Sequence, residues 1–260
     1  MDLFCKNVRE AILRISQSSG HGHVPTCFSI VEILRAVYET IRHDPKRPDW
    51  PERDIFILSK GHAALGLYCT LAYYDYFPIS DVYSFGKFGS RFGCHADRLK
   101  IPGIEVSTGS LGHGIGIAVG MALGLRISGS VRKVYVLVGD GESNEGTVWE
   151  AVMVAVNRGL DNLTIIYDDN RSHGRGLQIT EPVAQFRGFG CNVVSVDGHD
   201  VEALKEAFLQ RSSGVKVLVA RTLKGYGCET LSCNHYEWHR RSPNDTELAV
   251  LMGELNAKTV

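Results

Sequence analysis

The sequence predicts an α/β fold, a mostly parallel sheet with helices on both faces. Short apolar runs recur between helical patterns in the second half of the chain, and they are continuous rather than alternating, as in strands buried on both faces. A glycine-rich turn, "GDGESNEG" at 139–146, stands where one such run meets a helical pattern. No internal repeat, low-complexity tract or dividing linker is visible, so the 260 residues are read as one domain, 1–260, with a polar tail from about 222.

The elements follow in order. Residues 2–16 carry Leu3, Val8, Ile12 and Ile15 at helical spacing, and "SSGHGHVPT" breaks the pattern. Residues 27–42 read as one helix with Val31, Leu34, Val37, Tyr38 and Ile41 on one side. A proline-rich loop precedes a strand at 55–59, and a helix starts within "KGHAALGLYCTLAYY". Residues 80–110 are punctuated by glycine and read as irregular. Small residues recur through 111–127, which suits a buried helix in close contact with another backbone. Then come a strand at 133–138, a helix at 147–158, a strand at 163–167 and a short helix near 181–187. A strand at 192–196, a helix at 200–211 and a strand at 215–220 complete the alternation.

Composition narrows the function. A formal net charge of -1 leaves no basic footprint for nucleic acid. No apolar run reaches membrane-spanning length, and the N-terminus lacks the apolar core of a signal peptide. Seven cysteines without a CxxC pair argue against a disulfide framework or zinc ribbon, and the expectation is a reduced, cytoplasmic protein. No GxGxxG follows the first strand and no GxxxxGK[ST] occurs, which argues against the common nucleotide-binding loops.

The turn at 139–146 points to an anion and a metal. Ligands of open α/β sheets bind at the carboxyl ends of strands, where Asp140 falls. Gly139 and Gly141 let backbone amides approach an anion, and the following helix start adds its positive end. A carboxylate beside phosphate-cradling amides suits a hard divalent ion such as magnesium. Asn170 follows the next strand, thirty residues after Asp140, so the two side chains can converge on one ion. Either turn alone reads equally as an Asx turn, whereas the pair at one strand–helix–strand spacing is far more specific.

"GDGESNEGTVWEAVMVAVNRGLDNLTIIYDDN" resembles the thiamine diphosphate motif of transketolases, and the resemblance spans nearly the whole chain. "SSGHGHVP", "SKGHAALGLY" and "GCHADRLKIPGIEVSTGSLGHGIGIAVGMAL" are similar to the family's histidine loops and its STGxLGxG segment, in the family's order. The resemblance implies a transketolase-like transferase moving a two-carbon ketol unit between sugars or sugar phosphates, with thiamine diphosphate and Mg2+ as cofactors. It implies Asp140, Asn170 and the Ser172 carbonyl as magnesium ligands. Gly141 and His62 then serve the diphosphate, Gly109 and Leu111 lie against the cofactor, and Glu145 lies at a subunit interface near it. His21, His62, His95 and, by a weaker match, His239 become the catalytic histidines, with His235 a competitor for the last place. His23, Gly22 and His113 depart from the family's pattern.

In the family a further domain supplies the glutamate that activates the coenzyme, and no segment here matches it. The resemblance therefore implies a second chain carrying the pyrimidine-binding and C-terminal domains, in an α2β2 assembly with the 111–127 helix near the contact. Two other readings stand beside this one. They are a specialised thiamine-dependent carboligase in biosynthesis of a modified sugar or secondary metabolite, and a regulatory or binding protein on the same scaffold.

Overall fold

The computed structural model describes residues 1–174, 176–177 and 179–258. Five strands, β1 (Ile55–Leu58), β2 (Val134–Gly139), β3 (Leu163–Asp169), β4 (Asn192–Asp197) and β5 (Lys216–Arg221), form one sheet in the order β1-β2-β3-β5-β4, all parallel. Among the described residues, eleven α-helices surround it: α1 (Leu3–Ser19), α2 (Val24–Ser29), α3 (Val31–Thr40), α4 (Ala64–Tyr73), α5 (Ile79–Val82), α6 (His113–Ile127), α7 (Gly146–Asn157), α8 (Pro182–Gly188), α9 (Val201–Leu209), α10 (Glu229–Cys233) and α11 (Asp245–Ala257). The alternation read from the sequence is recovered with boundaries shifted by a few residues.

Side-chain alternation divides the core into two layers. Tyr135, Leu137, Ile166, Leu218 and Ala220 face a layer built on α1, α3, α4 and α9, with Phe28, Val37 and Phe208 buried in it. Val134, Val136, Val138, Ile165, Tyr167, Val217 and Val219 face the opposite layer, with Ile115, Val148, Val152 and Phe186. β4 is one of the two edge strands, and Asn192, Ser195 and Asp197 stand exposed on it. That exposure suits an edge that must resist further pairing.

Three expectations change. The helix at 27–42 is two helices meeting at Ile30, because Pro25 starts α2 early and the Ser29 hydroxyl turns away to donate to Asp168 Oδ2 at 2.9 Å. The 111–127 helix begins at His113 and buries only one side. A Cβ on Gly114 would sit 2.8 Å from Ser59 Cα, so the close approach to backbone exists there, while Gly116, Gly120 and Gly124 face open space. The tail beyond 222 is ordered. α11 carries a capping box between Asn244 and Glu247, and it buries Leu251 and Leu255 as it packs against α1.

A buried charge cluster locks α1 to the sheet's carboxyl edge. Arg9 is fully buried and pairs with both Glu32 oxygens at 2.6 and 2.7 Å, while it also donates to the Phe28 and Tyr226 carbonyls. His199 Nδ1 lies 3.0 Å from Glu32 Oε2, and the His199 ring stacks on Tyr226 at 3.6 Å. Burial alone pushes the Glu32 carboxyl up, but Arg9 and His199 override it and hold the pKa near 2. A group depressed in the fold contributes stability that is present above its ordinary value of 4.5 and is lost as pH falls toward 2. Chemical denaturation is expected to show Glu32→Ala destabilised by about 3–5 kcal/mol at neutral pH, because Arg9 is left buried without its counter-charge. Glu32→Gln should also flatten the stability loss between pH 4.5 and 2. An unchanged midpoint for Glu32→Ala would mean that the cluster contributes nothing.

Candidate active site

The loops after β1, β2 and β3 and the segments that carry His23, His95 and His239 converge on one cleft of about 520 Å³. Asp140 and Asn170 form its floor, and both are almost fully buried. Asp140 Oδ2 and Asn170 Oδ1 accept from the same amide, Ser172 N, at 2.6 and 3.0 Å, so the two side-chain oxygens do converge. Asp140 Oδ1 accepts from Gly141 N and from Ser172 Oγ, each at 2.6 Å. His173 Nδ1 stands 2.7 Å from Asp140 Oδ2, while its Nε2 accepts from Ile179 N, so the proton lies on the nitrogen facing the carboxylate. Buried oxygens on two adjacent strand ends fit a hard divalent cation bridging to phosphate oxygens. Among the described residues no cluster of three His, Cys, Asp or Glu side chains suits a metal.

Asp168 lies beneath this floor, wholly buried. Its Oδ2 accepts from Lys60 Nζ, from Ser29 Oγ at 2.9 Å and from Asn170 Nδ2 at 2.8 Å, and Oδ1 accepts from Thr222 Oγ1. The Asn170 amide is thereby oriented with its oxygen toward Asp140. Glu142 does the same work on the other side. It accepts from Ser59 Oγ, Gly112 N and Gly139 N at 2.5, 2.9 and 3.0 Å, and burial raises its pKa. Gly61 must be glycine, because a Cβ there would meet Gly109 N at 2.8 Å.

Imidazoles line the opposite wall. The His23 ring lies 5.2 Å from His62 and 5.3 Å from His239, with His62 and His239 6.4 Å apart. Burial lowers all three. His23 falls to about 4 with help from the charges of His239 and Arg240, His62 to about 2 with help from Lys60, and His239 to about 4 with help from Lys224. Lys224 Nζ lies 3.0 Å from His239 Nδ1, and burial and the Lys60 charge lower Lys224 to about 8. His95 also lines the cleft, and its ring rests on Gly109, where a Cβ would come within 3.3 Å of His95 Cδ2.

Of the residues singled out by sequence, His62, His95, His239, Gly109, Leu111, Asp140, Gly141, Asn170 and Ser172 line this cleft together. His21 does not. It is exposed, with its ring against Gly86, and His23 takes its place in the wall. The reason is geometric: α2 starts immediately after His23, so that residue and not His21 is carried to the sheet edge. Glu145 is exposed too and lies beside Gly112 at the start of α7, outside the cleft lining. His235 lies outside the lining, which leaves His239 as the C-terminal histidine of the cleft. Thr26, Lys60, Glu142, Asp168, His173, Lys224 and Arg240 carry no local mark in the sequence that singles them out. "SKGH" and "YDDN" place Lys60 and Asp168 within two residues of predicted site residues, and that adjacency is the signal available.

Residues 3–255 match the family model for transketolase, thiamine diphosphate binding domain. The chain belongs to the transketolase family. An apulose-4-phosphate transketolase subunit of Actinobacillus succinogenes is 37% identical over 95% of this chain and 92% of that protein. A 6-deoxy-6-sulfo-D-fructose transketolase subunit of a Clostridium species is 38% identical over 85% of this chain and 83% of its own length. A Pichia stipitis transketolase variant in complex with xylulose 5-phosphate superposes with a TM-score of 0.90 at 26% identity, covering 97% of this chain. This chain spans only 40% of that transketolase's length.

Three imidazoles depressed below their usual 6.5 stay neutral across the physiological range. Because the unfolded chain binds these protons first, the fold loses stability as pH falls below 6.5, and the loss levels off only below the depressed values. Histidine ring resonances followed by NMR are expected to show His23 and His239 titrating near 4 and His62 lower still. Midpoints near 6.5 would contradict the burial described.

Proposed function

We propose that the chain, as one domain across 1–260, is the diphosphate-binding subunit of a two-chain transketolase. It uses thiamine diphosphate and Mg2+ to transfer a two-carbon ketol unit between sugars or sugar phosphates. The observation that carries this reading is the convergence of Asp140 and Asn170 oxygens on one floor beneath a wall of neutral imidazoles. Relatives matched over most of their length are themselves named as transketolase subunits, which supports a partner chain here.

Asp140, Asn170 and the Ser172 carbonyl would hold the ion, and Gly141 would present its backbone to the diphosphate. The bound cofactor supplies the electron sink that ketose cleavage requires. The chain's own task is proton movement at substrate hydroxyls. Breaking the carbon–carbon bond of a ketose takes a proton from one hydroxyl, and releasing the product returns one. Neutral imidazoles within a few ångströms of each other can accept and return such protons. Lys224 donates to His239 Nδ1, which leaves the His239 proton on Nε2. His95, exposed at the cleft and resting on Gly109, is placed to meet a hydroxyl that enters from outside.

The partner chain would bring the pyrimidine-binding and C-terminal domains, as α2β2. Its seat is the open face of α6 and α7, where Ile117, Met153 and Val154 are 40%, 49% and 47% exposed beside Gly116, Gly120 and Gly124, and Glu145 lies close by at the start of α7. The names of those two relatives favour a modified sugar among the substrates. All seven cysteines are free and five are buried, as suits a reducing cytoplasm.

Two experiments test the proposal. Asp140→Ala is expected to abolish magnesium-dependent thiamine diphosphate binding in calorimetry on the assembled enzyme, since water cannot replace the anionic oxygen that Asp140 would give the ion. Unaltered affinity would remove the metal assignment. The chain purified alone, with cofactor and magnesium, is expected to transfer no ketol unit, and adding the partner subunit should restore turnover. Sustained turnover by a preparation that mass spectrometry finds free of any partner would refute the two-chain reading.

A further inference from the structure

Asp140 is gripped on both of its oxygens. Oδ1 accepts from Gly141 N and Ser172 Oγ, each at 2.6 Å, and Oδ2 accepts from Ser172 N at 2.6 Å and His173 Nδ1 at 2.7 Å. Three of these donors belong to the turn itself or to Ser172, whose carbonyl would also meet the ion. The fourth, His173, lies outside the cleft lining and touches none of the groups that would meet diphosphate or sugar. Its side chain is only 5% exposed. It is also fixed from its far side, because Nε2 accepts from Ile179 N at 3.2 Å. The segment after β3 thus closes on the imidazole. One ring nitrogen is pinned by backbone, and the other presents its proton to the carboxylate.

We propose that His173 is a positioning residue that makes the ion site rigid and so selects Mg2+ over the larger Ca2+. The inference rests on the reading of Asp140 as an ion ligand. Magnesium demands near-octahedral oxygens at about 2.0–2.1 Å, whereas calcium accepts irregular shells at about 2.3–2.6 Å. A carboxylate free to tilt therefore penalises magnesium more than calcium. The other side-chain ligand is already oriented, since the Asn170 nitrogen donates to Asp168 and Ser29. His173 does for Asp140 what those residues do for Asn170. Hydrogen-bond partners of a ligand set its orientation, and losing one costs about 10- to 100-fold in metal affinity.

Substitution can separate the two ring nitrogens. His173→Asn keeps a donor where Nδ1 faces Asp140 and gives up the bond from Ile179, whereas His173→Gln keeps an acceptor within reach of Ile179 N and gives up the donor at Asp140. The test titrates Mg2+ and, separately, Ca2+ into the enzyme reconstituted with its partner subunit in the presence of thiamine diphosphate, and calorimetry reads each ion's affinity. His173→Gln is expected to weaken Mg2+ about 10- to 100-fold and Ca2+ much less, so that the preference for magnesium falls. His173→Asn should keep both the affinity and the preference. The reverse order of the two variants would make His173 a brace for the loop and overturn the inference. Matching losses in both variants, or equal losses for both ions, would do the same, as would variants that fail to fold and assemble. If the wild-type complex binds thiamine diphosphate equally well without a divalent ion, the metal reading of Asp140 fails and this inference falls with it. An ion-dependent wild type with unaltered variants defeats the inference alone.

Discussion

The carboxylate of Asp168 is the constraint on which the site depends. It sits fully buried at the end of the central strand β3, and its two oxygens gather Lys60 from beyond β1, Ser29 from α2, Asn170 from its own strand end and Thr222 from beyond β5. Three segments distant in sequence, and the end of its own strand, are thus registered against one atom pair. A buried ion pair is a poor source of net stability, since both charges are stripped of water. Its worth here is placement. Asn170 turns its oxygen toward Asp140 with its nitrogen held by Asp168 and by Ser29 Oγ. The break between α2 and α3 at Ile30 accompanies the same bond, with Ser29 drawn inward.

The cleft built over that constraint is electrostatically divided. Oxygen atoms populate the floor, and cations and imidazoles populate the wall. Each lysine depresses its neighbouring imidazole, and burial depresses all of them. An imidazole held neutral cannot be lost as a proton acceptor through the physiological range, yet it carries too little charge to compete with a cation for the floor. Proton traffic and anion binding are kept apart by a few ångströms of geometry.

The legible parts of this arrangement are those carried by period and punctuation. Continuous apolar runs reveal the strands, and glycine beside Asp140 reveals a strand-end turn, because both effects are local. Buried polar side chains that work by long-range pairing are not legible. Nothing around Glu32 or Asp168 in the sequence says that Arg9 or Lys60 will reach them. His21 and His23 differ by two residues, and only the start of α2 decides which one turns into the cleft. α11 is readable in principle, since Asn244 and Glu247 form a capping box ahead of Leu248, Leu251 and Leu255. Polar residues crowd the stretch before it and mask that signal.

The 111–127 segment is expected to be buried, and within this chain only one side of it is. A helix without a polar face reads as buried all round. α6 buries Gly114, Ile115, Ala118, Val119 and Ala122 but leaves Ile117 and three glycines open. Sequence composition reflects every environment that a residue must satisfy, including contacts made after assembly. The inward face answers to Ser59 and β2, where glycine is required by the closeness of backbone. Nothing within this chain requires glycine on the outward face, at Gly116, Gly120 and Gly124. Glycine in a helix interior is unfavourable by roughly 1 kcal/mol against alanine. Three such residues aligned with exposed apolar side chains make sense if a second backbone lies against them, as in the partner seat proposed above. The helix then has the same logic on both sides, with one close approach made inside the fold and the other made by the assembly.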